Sequence, residues 1–169
     1  MPDALIVFSE ALAATPVSRF LQGIGWLIPL VQTVHILAIA AVMGSAGLAD
    51  LRLLGLAGRS RSAAEMAGSL APAVWWALLV LACSGAVLAI AEPLRSVPNP
   101  AFQLKMLLLL LAAALTGFMQ GVLRGRSALW DLSPGLRLAV KLAAAVSLLL
   151  WIAIIFAGRW IAFLDTGLA

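Results

Sequence analysis

The chain has 169 residues, of which 64% are hydrophobic and only 11% are charged, and its mean hydropathy is +1.11. A soluble domain of this size could not bury so much apolar surface, so lipid is the expected solvent. The net charge of +4 then indicates basic loops at a membrane and not a nucleic-acid interface, and the single cysteine excludes an internal disulfide.

In chain order, the sequence predicts an all-α integral membrane bundle, a single domain over residues 1–169. A short interfacial helix is expected over about residues 3–14, ending before Pro16. Four spans follow at about residues 24–48, 70–91, 102–123 and 138–164, each long enough for a hydrocarbon core that takes about 20 residues. Backbone polar groups in lipid must bond internally, so these spans are expected to be helices.

The basic residues predict the orientation of the chain, because cytoplasmic loops collect Arg and Lys. Seven lie in or beside the first and third connections, namely Arg52, Arg59, Arg61, Arg124, Arg126, Arg137 and Lys141. Four lie toward the opposite side, namely Arg19, Arg95, Lys105 and Arg159. Both termini are therefore expected on the outer, periplasmic side of a bacterial inner membrane.

The only histidine, His35, lies near the middle of the first predicted span. One interpretation is an interhelical hydrogen bond through Thr116 or Ser147, since such bonds are common in membrane bundles. The other is a ligand, because a neutral imidazole suits haem iron, copper or zinc. Gln32 lies one turn earlier on roughly the same face. A haem would also need an open sixth site, a methionine such as Met106, or the same histidine of a second copy.

Counting from the outer ends of the spans places Glu92, Lys105 and Arg159 at a similar depth. Charged side chains in a bilayer normally face the protein interior or water, so these three are expected in one polar cluster near His35. Snorkelling to the interface, or pairing of Glu92 with one of the cations, is the structural alternative. Together with His35 and a methionine, Cys83 could instead complete a copper site.

Polar and aromatic residues also mark the inner half of the predicted bundle. Asp50 and Arg52 are two residues apart, so on a helix they point about 200° away from one another and are not expected to pair. Anchoring of the helix end at the inner boundary is the simpler interpretation. Trp75 and Trp76 could stack on a ring or a quinone, or could fill interhelical volume.

Three segments carry a family resemblance: WLIPLVQTVHILAIAAVMGSAGLADLRLLG, NPAFQLKMLLLL and GRWIAF. They resemble a family of small bacterial four-helix membrane proteins known as a domain of unknown function, over roughly Trp26 to Phe163. The family is in turn similar, more distantly, to the membrane part of copper-resistance protein D, which implies metal or haem handling. The resemblance implies that the distinctive residues of this chain are His35, Asp50, Arg52, Lys105 and Arg159.

No motif of hydrolytic, phosphoryl-transfer or dinucleotide enzymes is found, so no catalytic residue is assigned. The leading hypothesis is a redox-type module that binds haem b or a quinone in the outer half of the bundle. In it His35 is a ligand or hydrogen-bond donor, and Lys105 and Arg159 neutralise haem propionates or a quinone oxygen. Gln32 and Glu92 complete this candidate cofactor site.

Two other hypotheses belong to different classes. One is a copper or small-solute permeation protein that uses His35 and Cys83 along its path. The other is a non-catalytic subunit whose polar residues bind partner helices in a larger complex. Lipid, and either a second copy or other membrane subunits, are the expected partners, and nucleic acid is not.

Overall fold

The computed structural model describes residues 2–57, 62–124, 132–161 and 163–164. Within these residues the chain is helical and contains no strand, which confirms the predicted all-α class. The helices in chain order are α1 (Pro2–Ala13), α2 (Pro16–Gly23), α3 (Leu27–Leu53), α4 (Ala63–Ala91), α5 (Pro93–Ser96), α6 (Pro100–Leu123) and α7 (Pro134–Trp160).

Four of these helices, α3, α4, α6 and α7, are long and apolar enough to cross a membrane. Their ends differ from the predicted spans because caps, and not hydropathy, end a helix. α4 begins well before residue 70, at a capping box in which the Ser62 hydroxyl accepts from the Glu65 amide and the Glu65 carboxylate accepts from the Ser62 amide. α3 continues past residue 48 to Leu53, and the chain turns at Gly55, whose φ of 82° suits glycine.

The N-terminal region forms two short helices where one was predicted. Thr15 caps α2 by accepting a hydrogen bond from the Ser18 amide, so a new helix starts at Pro16. α1 and α2 are bent by 64°, and as a pair they are also apolar enough to be a broken span. The Gln22 amide donates to the Ala91 carbonyl at 2.7 Å, which fixes α2 against the end of α4.

The four long helices are arranged as two antiparallel pairs. α3 packs mainly on α4, and α6 packs mainly on α7. The contact of α3 with α7 joins the two pairs, and α4 and α6 make a smaller contact on the other side of the bundle. Large apolar side chains such as Leu110, Leu149 and Phe156 remain exposed, as expected for surfaces that contact lipid. We call the end with the α4–α6 connection the outer end and the opposite end the inner end, following the orientation predicted from the loop charges.

Asn99 holds the outer end together. Its side chain is fully buried, and its Oδ1 accepts from the Ala101 amide at 2.9 Å, which caps α6. Its Nδ2 donates to the carbonyls of Ile161 and Leu164 at 3.2 Å and 3.0 Å. One amide group therefore ties the start of α6 to the end of α7.

Two replacements of Asn99 should separate the stability that comes from the cap of α6 from the stability that comes from the bonds to Ile161 and Leu164. Asn99→Ser keeps a capping oxygen but loses both bonds to the end of α7, and we expect it to lose about 1–2 kcal/mol of stability. Asn99→Ala also loses the cap, which adds roughly 1 kcal/mol. Apparent melting temperatures in detergent micelles should fall in the order wild type, Asn99→Ser, Asn99→Ala. Equal values for wild type and Asn99→Ser would show that the bonds to Ile161 and Leu164 contribute nothing.

The predicted orientation can be tested at two exposed positions, although Arg59, Arg61 and Arg126, on which the charge count partly depends, lie outside the described residues. Leu56 is 72% exposed after α3, and Arg95 is exposed in α5. In a Cys83→Ser background, we expect a membrane-impermeant maleimide to label Arg95→Cys in intact spheroplasts, and Leu56→Cys only after the membrane is opened. The reverse pattern would invert the topology.

Candidate functional site

The His35 imidazole connects three of the membrane-spanning helices. It lies eight residues into α3, about 12 Å from the outer start of that helix. Its Nδ1 is 2.9 Å from Ser84 Oγ on α4, and its Nε2 is 3.3 Å from Lys105 Nζ on α6. We call His35, Ser84 and Lys105 the outer polar cluster.

The donors and acceptors of this cluster can be assigned from its chemistry. An ammonium group has only donors, so Lys105 donates and His35 Nε2 accepts. The ring hydrogen of a neutral imidazole is then on Nδ1, which donates to Ser84 Oγ. That hydroxyl in turn donates to the Val80 carbonyl at 2.7 Å, one turn earlier on α4. Both ring nitrogens are therefore engaged.

Two glycines give these side chains their space. A Cβ atom on Gly85 would lie 3.2 Å from His35 Cε1, so the imidazole rests against the backbone of α4. A Cβ atom on Gly158 would lie 3.7 Å from Lys105 Nζ, so the lysine side chain runs along α7. All four long helices meet at the outer polar cluster.

The other charged residues predicted for this cluster make different contacts. Glu92 ends α4 and pairs with Arg95 at 3.2 Å, and both side chains are exposed. The Arg159 guanidinium lies 4.8 Å from the centre of the Phe163 ring. Gln32 is exposed on α3. Of the predicted site residues, the structure brings Lys105 to His35, and no carboxylate among the described residues pairs with that lysine.

The predicted metal ligands are not brought together. Cys83 is exposed on α4, and its neighbour Ser84 is the residue that faces His35. Adjacent residues on a helix point about 100° apart, so Cys83 points away from the imidazole when Ser84 faces it. The described part of the chain holds no group of three His, Cys, Asp or Glu side chains that could bind a metal ion.

A second polar group lies toward the inner end. Asp50 is only 2% exposed on α3, and its carboxylate lies near the Ser147 hydroxyl of α7, which makes no hydrogen bond within the described residues. Asp50 and Thr116 of α6 line a cavity of about 20 Å³. We call Asp50, Thr116 and Ser147 the inner polar cluster. Thr116 and Ser147, which the sequence offered as partners of His35, therefore lie near Asp50, and His35 contacts Ser84 and Lys105 in their place.

A larger groove opens between α4 and α6, which make less contact with one another than α3 makes with α7. Its volume is about 570 Å³, within the range of small-molecule sites. Trp75 crosses it, with Nε1 donating to Gln120 Oε1 at 2.7 Å, whereas Trp76 is 69% exposed. Sequence reasoning missed this groove. The available signal was a series of small residues at helical spacing: Ala64, Gly68 and Ala71 on α4, and Gly117 and Gly121 on α6.

Residues 19–164 match the model of a family described as a family of unknown function, DUF6644. The chain belongs to this family. Both polar clusters and the groove lie within the matched DUF6644 residues. No curated protein and no solved structure matches the chain. The predicted resemblance to a family of unknown function is thus confirmed, and no similarity to copper-resistance protein D is shown.

The two glycines of the outer polar cluster offer a matched pair of substitutions. In Gly85→Ala the new methyl group lies too close to an imidazole that is held at both nitrogens, so we expect a loss of roughly 1 kcal/mol or more. In Gly158→Ala the new contacts are ordinary, and stability should change little. Apparent melting temperatures of the two variants would check this. A Gly85→Ala protein as stable as Gly158→Ala would show that the imidazole moves freely.

Proposed function

We propose that this protein is a small redox-type membrane module that binds a quinone at the outer polar cluster. The observation that carries the proposal is the Lys105 ammonium, which lies inside a membrane-spanning helix with a neutral imidazole as its partner. Ionisable groups within membrane spans normally serve a ligand, an ion or a proton path. Lys105 pairs with no carboxylate of the described residues, and such an ammonium fits a ligand that presents oxygen acceptors.

A quinone has the chemistry that this cluster can recognise. The ammonium has three N–H donors, of which one points to His35 Nε2, so donors remain for a quinone oxygen. Negative charge grows on that oxygen when the quinone is reduced, and a fixed cation beside it stabilises the charge. The quinone supplies the redox chemistry, and the protein supplies orientation and electrostatics.

Each residue of the cluster has a separate task in this proposal. Ser84 accepts from Nδ1 and so fixes the tautomer that leaves Nε2 as an acceptor. His35 then holds the ammonium in place, and Lys105 donates to the ligand. His35 and Lys105 are both only partly buried, and Leu104 and Met106 beside Lys105 are exposed, so a ligand with an apolar tail can approach from the lipid.

Haem and copper fit this arrangement less well. Iron ligation needs a ring nitrogen with an available lone pair, yet Nδ1 carries the proton and Lys105 covers Nε2. Copper would need a second soft ligand, and Cys83 faces away from the imidazole. Either metal would first have to displace the lysine from His35.

Quinone binding can be measured on the purified protein in nanodiscs with a short-chain ubiquinone and a naphthoquinone, by equilibrium dialysis. Lys105→Met removes the donor to the quinone oxygen, and a hydrogen bond from a charged group is worth about 1.5–3 kcal/mol, so binding should weaken about tenfold or more. His35→Gln leaves the ammonium but loosens its support, and a smaller loss is expected.

Lys141→Met is the matched control, because Lys141 is an exposed lysine of α7 outside the cluster. It should bind the quinones as the wild type does. Equal binding by Lys105→Met and wild type would refute the proposal. A purified protein with a Soret band that disappears in His35→Gln would establish haem in its place.

A further inference from the structure

The groove between α4 and α6 has the length of one leaflet of a bilayer. Its lining on α4 extends from Ala64 to Trp75, which is about 16 Å at the rise of an α-helix. The hydrocarbon core of a bilayer is about 30 Å thick, so one leaflet contributes about 15 Å. Glu65 and Arg124 line the inner end of the groove, and charged side chains at the end of a span lie at the level of the headgroups. The groove therefore covers the depth of the acyl chains in the leaflet at the inner end.

The groove is closed at its outer end and open toward the lipid. A Cβ atom on Gly117 would lie 3.8 Å from the Trp75 ring, so the indole reaches from α4 to the backbone of α6. Its N–H group donates to Gln120 at 2.7 Å, which fixes the ring across the groove. Trp76 and Phe118, next to the lining, are exposed, and apolar side chains exposed at this depth contact acyl chains. A chain can therefore enter from the side, and Trp75 limits how far it extends.

The space in the groove is narrow and is left by glycines. A Cβ atom on Gly68 of α4 or on Gly121 of α6 would have no further atom within 4 Å. A volume of about 570 Å³ spread over about 16 Å gives a mean cross-section of about 36 Å². An α-helix with its side chains is 10–12 Å in diameter and needs about 80 Å² or more. The groove is thus too narrow for a partner helix and suits a flexible hydrocarbon chain.

The inner end of the groove offers a cation to a headgroup. Arg124 directly follows α6, its side chain is exposed, and no ion pair joins it to a carboxylate of the described residues. The Glu65 carboxylate accepts from the Ser62 amide in the capping box, so its charge lies at the positive start of α4. A guanidinium binds a phosphate through parallel N–H···O bonds. Arg124 is therefore placed to bind the phosphate of a lipid whose chain occupies the groove.

We propose that the groove binds an anionic glycerophospholipid of the leaflet at the inner end, with one acyl chain between α4 and α6 and its phosphate on Arg124. Seven of the eleven basic residues but only three of the seven acidic residues of the chain belong to this end by sequence. That excess favours an anionic headgroup such as phosphatidylglycerol over a zwitterionic one. The proposal does not depend on quinone binding, because the outer polar cluster lies at the other end of the bundle.

Phospholipid binding can be measured on purified, delipidated protein in a non-ionic detergent by native mass spectrometry. The probes are phosphatidylglycerol and phosphatidylethanolamine with the same acyl chains, and one phosphatidylglycerol per protein should be retained more tightly. Arg124→Gln removes the donor to the phosphate, so phosphatidylglycerol binding should weaken about tenfold. Lys141→Gln removes an exposed cation of α7 outside the groove and should bind as the wild type does.

Gly68→Leu and Gly121→Leu test the groove itself, because each new side chain takes the space of the acyl chain without meeting another part of the protein. Both should bind phosphatidylglycerol about tenfold more weakly or worse. Gly44→Leu is the matched control, at an exposed glycine of α3 that also has open surroundings and lies outside the groove, and it should keep the binding.

Three results would overturn the proposal. The first is that Gly68→Leu and Gly121→Leu bind phosphatidylglycerol as Gly44→Leu does. The second is that Arg124→Gln binds as Lys141→Gln does, or that the wild type binds both lipids equally. The third is displacement of phosphatidylglycerol by inorganic phosphate, which would show a phosphate site that needs no acyl chain. None of these variants alters His35, Ser84 or Lys105, so quinone binding and phospholipid binding can fail separately.

Discussion

The arrangement of this bundle depends on the weakness of the hydrophobic effect between helices in lipid. Leucines gain little by facing another helix when the surrounding acyl chains are equally apolar, so close packing and polar contacts decide which helices meet. The imidazole of His35, held by Ser84 on one side and Lys105 on the other, is such a contact. It joins the α3–α4 pair to α6, across a bundle in which α4 and α6 hardly touch.

The two polar clusters differ in charge and in depth. Among the described residues, no carboxylate pairs with the ammonium of the outer polar cluster, and no cation pairs with the carboxylate of the inner polar cluster. His35 and Asp50 are fifteen residues apart on one helix, which is about 22 Å. A layer of buried apolar side chains lies between them, including Val42, Ala46 and Ile154. At that distance and with that layer between them, the ammonium and the carboxylate do not pair with one another.

Sequence reasoning located the charged residues of the outer half but grouped them too broadly. Counting along the spans put Glu92, Lys105 and Arg159 at one depth, yet depth alone does not fix the direction in which a side chain points. Glu92 and Arg159 lie at helix ends, where Arg95 and Phe163 are within reach. Lys105 lies one turn inside α6, where its long side chain runs along Gly158 toward His35. The partner of His35 on α4 was missed, because Ser84 beside Cys83 has no distinctive spacing.

The sequence by itself determined the class of this protein. Its hydropathy indicates four helices long and apolar enough to cross a membrane, and the need for internal backbone hydrogen bonds in lipid favours helices for such segments. Only the tertiary structure decided which polar groups meet, because the spans are apolar on nearly every face and periodicity cannot orient them. The rotation of α3 about its axis turns His35 toward Lys105 and Asp50 toward Thr116 and Ser147. That rotation follows from the packing of α3 against α4 and α7, which no single span encodes.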